Sequence, residues 1–423
     1  MSRSSPRPEA VLIPLHGGPA APPNRRDPRI DAFRGLALAM IVVNHMPGNP
    51  WEALTIRSIG FSDAAEAFFL MSGIAAGIAY SPAVARWLDG SGRLWDAVRP
   101  MWARSWTLFL VQIFLTVTAI ALFSWAAETF LRAEFRQMHN LARIYDDTGA
   151  ALIGLVTLGY QIGYVNILPA YIVLLLVAPA MVAAGLRAPW IALALSLGLW
   201  AVAGWARLNI PTYPGNGGWF FSPFTWQALF FIGLLVGIQH RKGARLVPVS
   251  WPLFSLALGF LVFVLAWRHW PGLGETLNHQ MARLGNAGVP YNFVAHSKPY
   301  LALPRLLHVL ALAYVISCLP AVTRACGSSL AAPLRLLGRH GLLVFALGTI
   351  LSLAGQIVMD VEPDVVWVPW VLPVAAIALC YAAASLAERA HRAGGVPGGG
   401  PARQARPSAG LGDPPQEGRK QTA

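Results

Sequence analysis

Ionisable side chains lie inside otherwise apolar segments of this 423-residue chain, where they are costly and usually serve a function. Arg34 and His45 are eleven positions apart in the first such segment. Helical geometry places them about 20° apart around the axis and about 16 Å apart along it, so they share one face. An imidazole there could act as a general base or nucleophile, and a guanidinium could bind a phosphate or carboxylate group.

Capping and interface positions offer a structural alternative for the same helix. Asp31 would cap its start, Arg34 would extend to the membrane surface and His45 would lie at the far interface. Against this alternative, the segment is short and carries a polar residue at each end of one face, which favours a helix that lines a cavity.

The second apolar segment starts with Asp63 and Glu66, whose three-residue spacing predicts a capping box. This segment should begin on the side of the membrane where the first one ends, at the level of His45. Two carboxylates beside an imidazole could fix its tautomer and raise its basicity. Capping and catalysis are compatible roles, so both carboxylates are candidate catalytic residues together with His45.

Later segments add candidate binding residues on the same side. Arg305 and His308 share a helix face at i,i+3 spacing, and Lys298 lies in the loop before them. Trp226 and Gln227 lie at the start of another apolar segment, where an aromatic residue more often belongs to the interfacial belt than to a sugar platform. The sequence has no phosphate-binding loop, dinucleotide-binding glycine motif, metal-ligand spacing or nucleophile elbow, so no bound cofactor or metal is predicted.

The composition requires a membrane around these residues. Hydrophobic residues make up 56% of the chain and charged residues only 12%, against roughly 25% charged in soluble domains. A helix needs roughly 20 residues to cross the bilayer core. We therefore predict an all-α, polytopic integral membrane protein with about ten transmembrane helices, near residues 31–46, 61–80, 105–126, 164–184, 189–206, 226–239, 252–268, 303–321, 341–358 and 365–387.

The basic residues are distributed unevenly between the two sides of the membrane. If the N-terminus is cytoplasmic, 22 of the 32 Lys and Arg residues fall in cytoplasmic segments and nine fall on the outer side. This bias predicts cytoplasmic N- and C-termini, and it explains the net charge of +13 without a nucleic-acid partner. Residues 1–29 and 391–423 are expected to be disordered cytoplasmic tails around a transmembrane domain at 30–390. Two long outer loops, about 127–163 and 269–302, are expected to carry function.

Several segments resemble the OpgC family, within the acyltransferase 3 superfamily of membrane acyltransferases. The resemblance runs from about residue 27 to the tenth predicted helix, with small departures at Ala32 and Ser222, where an aromatic residue and an asparagine are expected. The segments that carry it are Asp31-Ala-Phe-Arg34-Gly-Leu-Ala-Leu, Asn44-His45-Met-Pro-Gly-Asn-Pro, Gly60-Phe-Ser-Asp63-Ala-Ala-Glu66 with Ser72-Gly73, Tyr164-Val-Asn166-Ile-Leu-Pro169, Ser222-Pro-Phe-Thr-Trp226-Gln227 and Leu337-Gly-Arg339-His340.

The resemblance implies an O-acyltransferase of the bacterial inner membrane that succinylates periplasmic glucans or related envelope glycans. Its co-substrate would be cytoplasmic acyl-CoA, expected to be succinyl-CoA, and its acceptor would be a sugar hydroxyl on the outer side. His45 would act as general base or accept the acyl group transiently, and Asp63 or Glu66 would orient it. The predicted residues that bind donor or substrate are Asp31, Arg34, Arg57, Ser72, Trp226, Gln227, Lys298, Arg305 and His308.

Within that set, Arg34 is expected to bind a phosphate or carboxylate of the CoA donor, and Arg305 or Lys298 the free carboxylate of the succinyl group. The sequence leaves open whether a covalent acyl-enzyme forms, and it is silent on the oligomeric state.

Two other protein classes fit the same apolar helices. A transporter or flippase for a small anion or glycan would line its path with the same polar residues, but it favours internal repeats or paired broken helices, and neither is visible. A structural membrane anchor explains the helices but not the aligned polar residues. The acyltransferase interpretation is favoured chiefly by the family resemblance.

Overall fold

The computed structural model describes residues 27–393, which are mostly helical. Within this range no strand forms, and an isolated β-bridge joins Pro211 to Gly218. Each of the ten predicted apolar segments coincides with a helix. In chain order these helices are α1 (Pro28–Asn44), α2 (Ala64–Leu88), α3 (Leu94–Thr129), α4 (Ile167–Arg187), α5 (Pro189–Trp205), α6 (Pro223–Arg241), α7 (Trp251–His269), α8 (Leu303–Cys318), α9 (Gly341–Val361) and α10 (Val368–Ala393). Shorter or more polar helices in the connections span Pro50–Leu54, Ile56–Ile59, Ala133–Arg136, Met138–Asn140, Ala142–Asp146, Thr148–Val156, Pro271–Asn286, Tyr291–Val294, Pro320–Gly327 and Ala332–Arg339.

Six of the labelled helices, α2, α3, α4, α7, α9 and α10, are long and apolar enough to cross a membrane. A seventh span forms if α8 is counted together with Pro320–Gly327, but these two helices are bent by 80° relative to each other. Pro320 begins the second helix and cannot continue the hydrogen-bond ladder of α8, so the span predicted at 303–321 ends earlier, at Cys318. The helices confirm an all-α membrane protein, and the number of ten spans stays a prediction.

Two pairs of glycines create a close contact between α2 and α6. Gly73 and Gly77 of α2 face backbone carbonyls of α6, and Gly233 and Gly237 of α6 face backbone carbonyls of α2. A Cβ at any of these positions would collide with the opposite backbone. The four-residue spacing is typical of small-residue interfaces in membranes. The contact aligns the starts of α2 and α6 at the end of the bundle where α1 ends, which we call the His45 end.

Asp27 is the N-cap of α1, and its side chain accepts a hydrogen bond from the backbone N–H of Arg29 at 2.9 Å. The Arg29 guanidinium also pairs with this carboxylate, with 2.7 Å between Nη2 and Oδ2. Burial works to raise the pKa of Asp27, but the hydrogen bonds and charge of Arg29 more than offset it and hold that pKa below its ordinary value. The alternative in which Asp31 caps the helix is therefore wrong, since Asp31 lies in the first turn and is buried.

The start of α1 lies against the short helix Ala332–Arg339. Gly338 of that helix faces the backbone carbonyl of Asp31, and the contact leaves no room for a side chain at this position. Arg34 extends beside Gly341, the first residue of α9. The predicted donor-binding residues Asp31 and Arg34 are thus held at the end of the bundle opposite the His45 end.

The first long loop, between α3 and α4, folds over the His45 end. Its apolar stretch forms Thr148–Val156, a nine-residue helix too short to cross a membrane. The amide of Gly163 donates a hydrogen bond to the carbonyl of His139 at 2.9 Å, which closes the loop upon itself. The His139 ring then meets the Tyr164 ring edge-on, with 5.1 Å between centroids.

Only the inner ends of the predicted tails are described. Pro28 and Arg29 belong to α1 and residues 391–393 belong to α10, so ordered helix extends slightly farther than predicted. The rest of the predicted tails, 1–26 and 394–423, lies outside the described residues. Among the described residues, 386–393 at the end of α10 are grouped apart from the rest, and there Arg392 and Glu388 make an i,i+4 ion pair of 3.1 Å.

Candidate active site

A cavity of about 870 Å³ lies at the His45 end of the bundle, within the size range of ligand pockets. Its floor reaches Phe345, four residues after the start of α9 at Gly341. The cavity therefore extends from the loops of the His45 end to the level of Ile41 on α1 and Phe345 on α9. Five predicted site residues line it: His45, Arg57, Asp63, Lys298 and Arg305.

His45 is the C-cap of α1, and its side chain lines the cavity. Its carbonyl accepts a hydrogen bond from the Gln356 amide at 2.5 Å, and its ring lies edge-on to Tyr164 with 4.9 Å between centroids. Nδ1 of the ring is buried and has no hydrogen-bond partner among the described residues. Nε2 is therefore the ring nitrogen that can meet a substrate in the cavity.

Asp63 and Glu66 form the predicted capping box at the start of α2. The Asp63 side chain accepts a hydrogen bond from the amide of Ala65, and Glu66 accepts one from the amide of Asp63, each at 2.8 Å. Both carboxylates also bind cations. Lys298 lies 2.5 Å from Asp63, and Arg305 lies 2.7 Å from Glu66 and 3.3 Å from Asp63. We call these four charged side chains the ion cluster.

The contacts within the ion cluster differ from two predicted roles. Asp63 or Glu66 was predicted to orient His45, and Arg305 or Lys298 was predicted to bind the carboxylate of the succinyl group. Among the described residues neither carboxylate hydrogen-bonds to His45, because Lys298 and Arg305 occupy their oxygens. The same pairing means that Lys298 and Arg305 would have to give up their own partners before binding the carboxylate of a substrate. The cluster instead fixes the start of α2 against α8, and Asp63 and Lys298 act on His45 through space.

Arg57 and Arg268 differ from Lys298 and Arg305 because they have no carboxylate partner among the described residues. Both line the cavity and both are exposed. Arg268 donates a hydrogen bond to the backbone carbonyl of Arg57 at 3.4 Å, and among the described residues neither guanidinium pairs with a carboxylate. An anionic group that enters the cavity would therefore find its charge partners at these two residues.

Trp226 and Gln227 were candidates for substrate binding, but the structure places them behind the cavity lining. Trp226 is fully buried, and its indole N–H donates to the carbonyls of Lys298 and Pro299 at 3.1 and 3.2 Å. Gln227 is buried and accepts a hydrogen bond from the Ser196 hydroxyl at 2.7 Å. Trp226 thus belongs neither to an interfacial belt nor to a sugar platform, because it holds in place the backbone that carries Lys298.

Five other predicted residues also lie outside the cavity lining, and one of them is the fully buried Glu66 of the ion cluster. His308 is buried, and its Nδ1 lies 2.7 Å from the Ser62 hydroxyl, so it positions the segment before α2. Ser72 is buried within α2. Asp31 and Arg34 lie at the opposite end of the bundle, beyond the cavity floor.

Several residues that line the cavity are not among the predicted site residues. Trp267, Arg268, Glu275 and Asn278 come from the end of α7 and the polar helix after it. Their helical spacing is visible in the sequence and could have marked this face. Tyr164 adopts a left-handed backbone conformation with φ of 66°, and no sequence signal indicates that this turn would carry its ring to His45.

His296 packs between aromatic rings at the cavity wall. Its ring centroid lies 4.3 Å from that of Phe61 and 5.7 Å from that of Trp267. Burial lowers the pKa of His296, and the positive charges of Arg268 and Arg305 lower it further. The ring is therefore uncharged near neutral pH and contributes to the cavity as a polar aromatic surface.

The fold and the cavity define a helical membrane protein with a deep pocket that is lined by several cations and by two histidines, His45 and His296. Within the described residues no group of three or more His, Cys, Asp or Glu side chains could hold a metal ion. Residues 26–392 match the family described as OpgC protein, and the chain belongs to this family. No curated protein and no solved structure gives a match to the chain. The family resemblance is thus confirmed, and membership indicates a transferase and suggests succinyl transfer to periplasmic glucans.

Proposed function

We propose that this protein is a membrane O-acyltransferase that moves a succinyl group from cytoplasmic succinyl-CoA to hydroxyls of periplasmic glucans or related envelope glycans. The observation that carries the proposal is that His45 lines a cavity whose lining reaches Phe345, close to the end of the bundle where Arg34 lies. Phe345 at the cavity floor is about 6 Å along α9 from Gly341, beside which Arg34 lies. A pantetheine arm held at Arg34 would enter the floor and reach His45, about 16 Å away along α1.

The proposed topology has ten membrane-spanning helices, both termini in the cytoplasm and the His45 end in the periplasm of a bacterial inner membrane. The shorter helices support it, since α1 and α5 have 17 residues and α6 has 19, or about 26–29 Å each. The ion cluster also supports it, because the starts of α2 and α8 must lie on one side of the membrane to share it. The excess of Lys and Arg in the other segments supports the position of that side outside the cytoplasm.

The proposed reaction uses the accessible nitrogen of His45. Nε2 takes the proton of a sugar hydroxyl, the hydroxyl oxygen attacks the thioester carbonyl and the carbon–sulfur bond breaks. The imidazolium then returns its proton to the departing CoA thiolate, so that an O-acyl ester and free CoA are formed. If the acyl group passes first to Nε2 and then to the hydroxyl, the same nitrogen is required. Asp63 makes no direct hydrogen bond to His45, and through space its charge favours the imidazolium while the charge of Lys298 opposes it.

The acyl carboxylate is assigned to Arg57 and Arg268. Lys298 and Arg305 are already neutralised by the two carboxylates of the ion cluster, whereas Arg57 and Arg268 line the same cavity without acidic partners among the described residues. A charge-assisted hydrogen bond to the free end of the succinyl group would select a dicarboxylic acyl donor over a neutral one. Arg34 would bind a phosphate of CoA at the cytoplasmic end.

The test of the proposal compares wild type and His45→Ala in a Gram-negative strain that lacks its own glucan succinyltransferase. Periplasmic glucans are extracted and their substituents are identified by mass spectrometry and charge. Wild type should restore succinyl groups, and His45→Ala, expressed at the same level, should not. His279→Ala is the matched control, because His279 is an exposed histidine outside the cavity lining and should behave as wild type.

Two results would contradict the proposal. Succinylation by His45→Ala at the wild-type level would remove the catalytic role of His45. If the strain that expresses the wild-type protein contains glucans without succinyl groups, either the proposed acceptor or the proposed enzyme class is wrong. Transport of an anion or glycan would then become the leading interpretation.

A further inference from the structure

One face of the polar helix after α7 forms a wall of the cavity. The helix Pro271–Asn286 follows α7 directly, and four of its residues line the cavity: Pro271, Gly274, Glu275 and Asn278. Their i, i+3, i+4, i+7 spacing is that of one helix face. A Cβ at Gly274 would lie 2.7 Å from the Trp267 carbonyl oxygen, so glycine allows the helix to pack closely on the end of α7.

Asn278 organises the aromatic side chains beside this face. Its Oδ1 accepts a hydrogen bond from the indole N–H of Trp267 at 3.1 Å and lies 3.3 Å from Nε2 of His296. Phe61 packs edge-on against Trp267, with 5.2 Å between centroids. Three rings, Phe61, Trp267 and His296, are thereby held in one arrangement at the cavity wall, and all three line the cavity.

Glu275 has a carboxylate without a partner among the described residues. It is exposed, it lines the cavity, and its carboxylate makes no ion pair or hydrogen bond among the described residues. It lies one helical turn from Asn278 on the same face. A carboxylate and an amide next to fixed aromatic rings suit a neutral sugar, whose hydroxyls donate hydrogen bonds and whose CH groups pack on the rings.

We propose that Trp267, Glu275, Asn278 and His296, which we call the helix wall, form the subsite that binds glucose units of the acceptor glycan. This inference rests on the proposed function, which it deepens by separating the acceptor from the donor. The anionic acyl group belongs near Arg57 and Arg268, whereas Glu275 repels anions. Glucose units that already carry succinate are therefore disfavoured at the helix wall, so bare units bind there in preference to succinylated ones.

The experiment measures binding of an unsubstituted, β-linked glucose oligosaccharide to the full-length protein in lipid nanodiscs, without any acyl donor. Isothermal titration calorimetry gives the dissociation constant for wild type, Glu275→Gln, Trp267→Ala and Trp267→Phe. Glu275→Gln and Trp267→Ala should each weaken binding about tenfold or more, the usual effect of losing a charge-assisted hydrogen bond or an aromatic contact. Trp267→Phe keeps the ring face and should be affected less than Trp267→Ala.

Two control variants are matched to these changes. Glu362→Gln removes an exposed carboxylate at the end of α9 that does not line the cavity, and Trp205→Ala removes an indole of 66% exposure at the end of α5. Both should bind the oligosaccharide as wild type does. Because Glu275 is exposed and contacts no partner in the described residues, Glu275→Gln should fold normally, and its elution on size-exclusion chromatography checks this.

Three outcomes would contradict the proposed subsite. Glu275→Gln and Trp267→Ala could both bind the oligosaccharide with wild-type affinity, or the control variants could lose as much affinity as they do. The third outcome is that the wild-type protein does not bind the oligosaccharide. If the oligosaccharide binds at the helix wall but the wild-type protein does not transfer succinate, the proposed subsite is retained and the proposed enzymatic function is wrong.

Discussion

Removal of Arg305 should be the most costly single change in the ion cluster. Its guanidinium binds Glu66 at 2.7 Å, the Glu66 side chain is 0% exposed, and the Arg305 side chain is 11% exposed. Arg305→Met would leave the Glu66 charge buried without a cation, because Lys298 pairs with the other carboxylate, Asp63. Breaking a buried pair by deleting one partner costs about 3–5 kcal/mol, and we expect that loss in the free energy of unfolding.

A double-mutant cycle separates this effect from loss of packing. The free energy of unfolding is measured by SDS titration of the purified protein for Arg305→Met, Glu66→Gln and the double variant. The double variant should recover much of the loss, since no buried charge remains, and the coupling energy should exceed about 1 kcal/mol. Arg136→Met is the matched control: it breaks an exposed 3.2 Å pair with Glu128 and should cost about 0–1 kcal/mol. A cost for Arg305→Met below about 1 kcal/mol, or strict additivity in the cycle, would refute the reasoning.

Three further predictions concern packing, specificity and pH. Gly73→Ala should cost about 1–3 kcal/mol in unfolding free energy, because its Cβ would meet the backbone of α6, whereas Gly198→Ala has open space and should be neutral or stabilising; equal effects would contradict the glycine contact. Arg57→Gln should lower succinyl transfer about tenfold and leave acetyl transfer unchanged in a competition assay with both CoA esters; a parallel loss of both activities would contradict its selectivity role. Arg29 holds the pKa of Asp27 below its ordinary value of 3.8, so the cap stabilises α1 above that pH and its contribution is lost as the pH falls through the lowered value. The stability difference between wild type and Asp27→Asn should therefore shrink below about pH 4, and a difference independent of pH would contradict the assignment.

The helical segments could be predicted because membrane-crossing length and apolar composition are properties of local sequence. The capping box of Asp63 and Glu66 could be predicted for the same reason, since both hydrogen bonds join residues three positions apart or fewer. The further partners of these carboxylates could not, because Lys298 and Arg305 are separated from them by 235 to 242 residues. The expected common level of these carboxylates and His45 therefore suggested a carboxylate–histidine pair, whereas the fold makes carboxylate–cation pairs.

The burial of Trp226 also could not be predicted from local sequence. Its position at the start of an apolar helix is compatible with a membrane interface, but the glycine contact between α2 and α6 encloses it, and its ring centroid lies 4.7 Å from that of Phe69. The glycine pairs and the polar face of Pro271–Asn286 were both visible in the sequence as regular spacings. What the sequence does not provide is the partner of each face, which depends on the packing of the whole bundle.

The most direct test of the account follows an acyl group across the membrane. Inverted inner-membrane vesicles expose the cytoplasmic face, so labelled succinyl-CoA is supplied outside and an unsubstituted glucan is trapped inside. The account predicts labelled succinyl ester on the trapped glucan with wild type, and a loss of about 10²–10⁴-fold with His45→Ala at equal protein level. Equal labelling by His45→Ala, or no luminal labelling by wild type while the donor and glucan remain intact, would contradict transmembrane acyl transfer at His45.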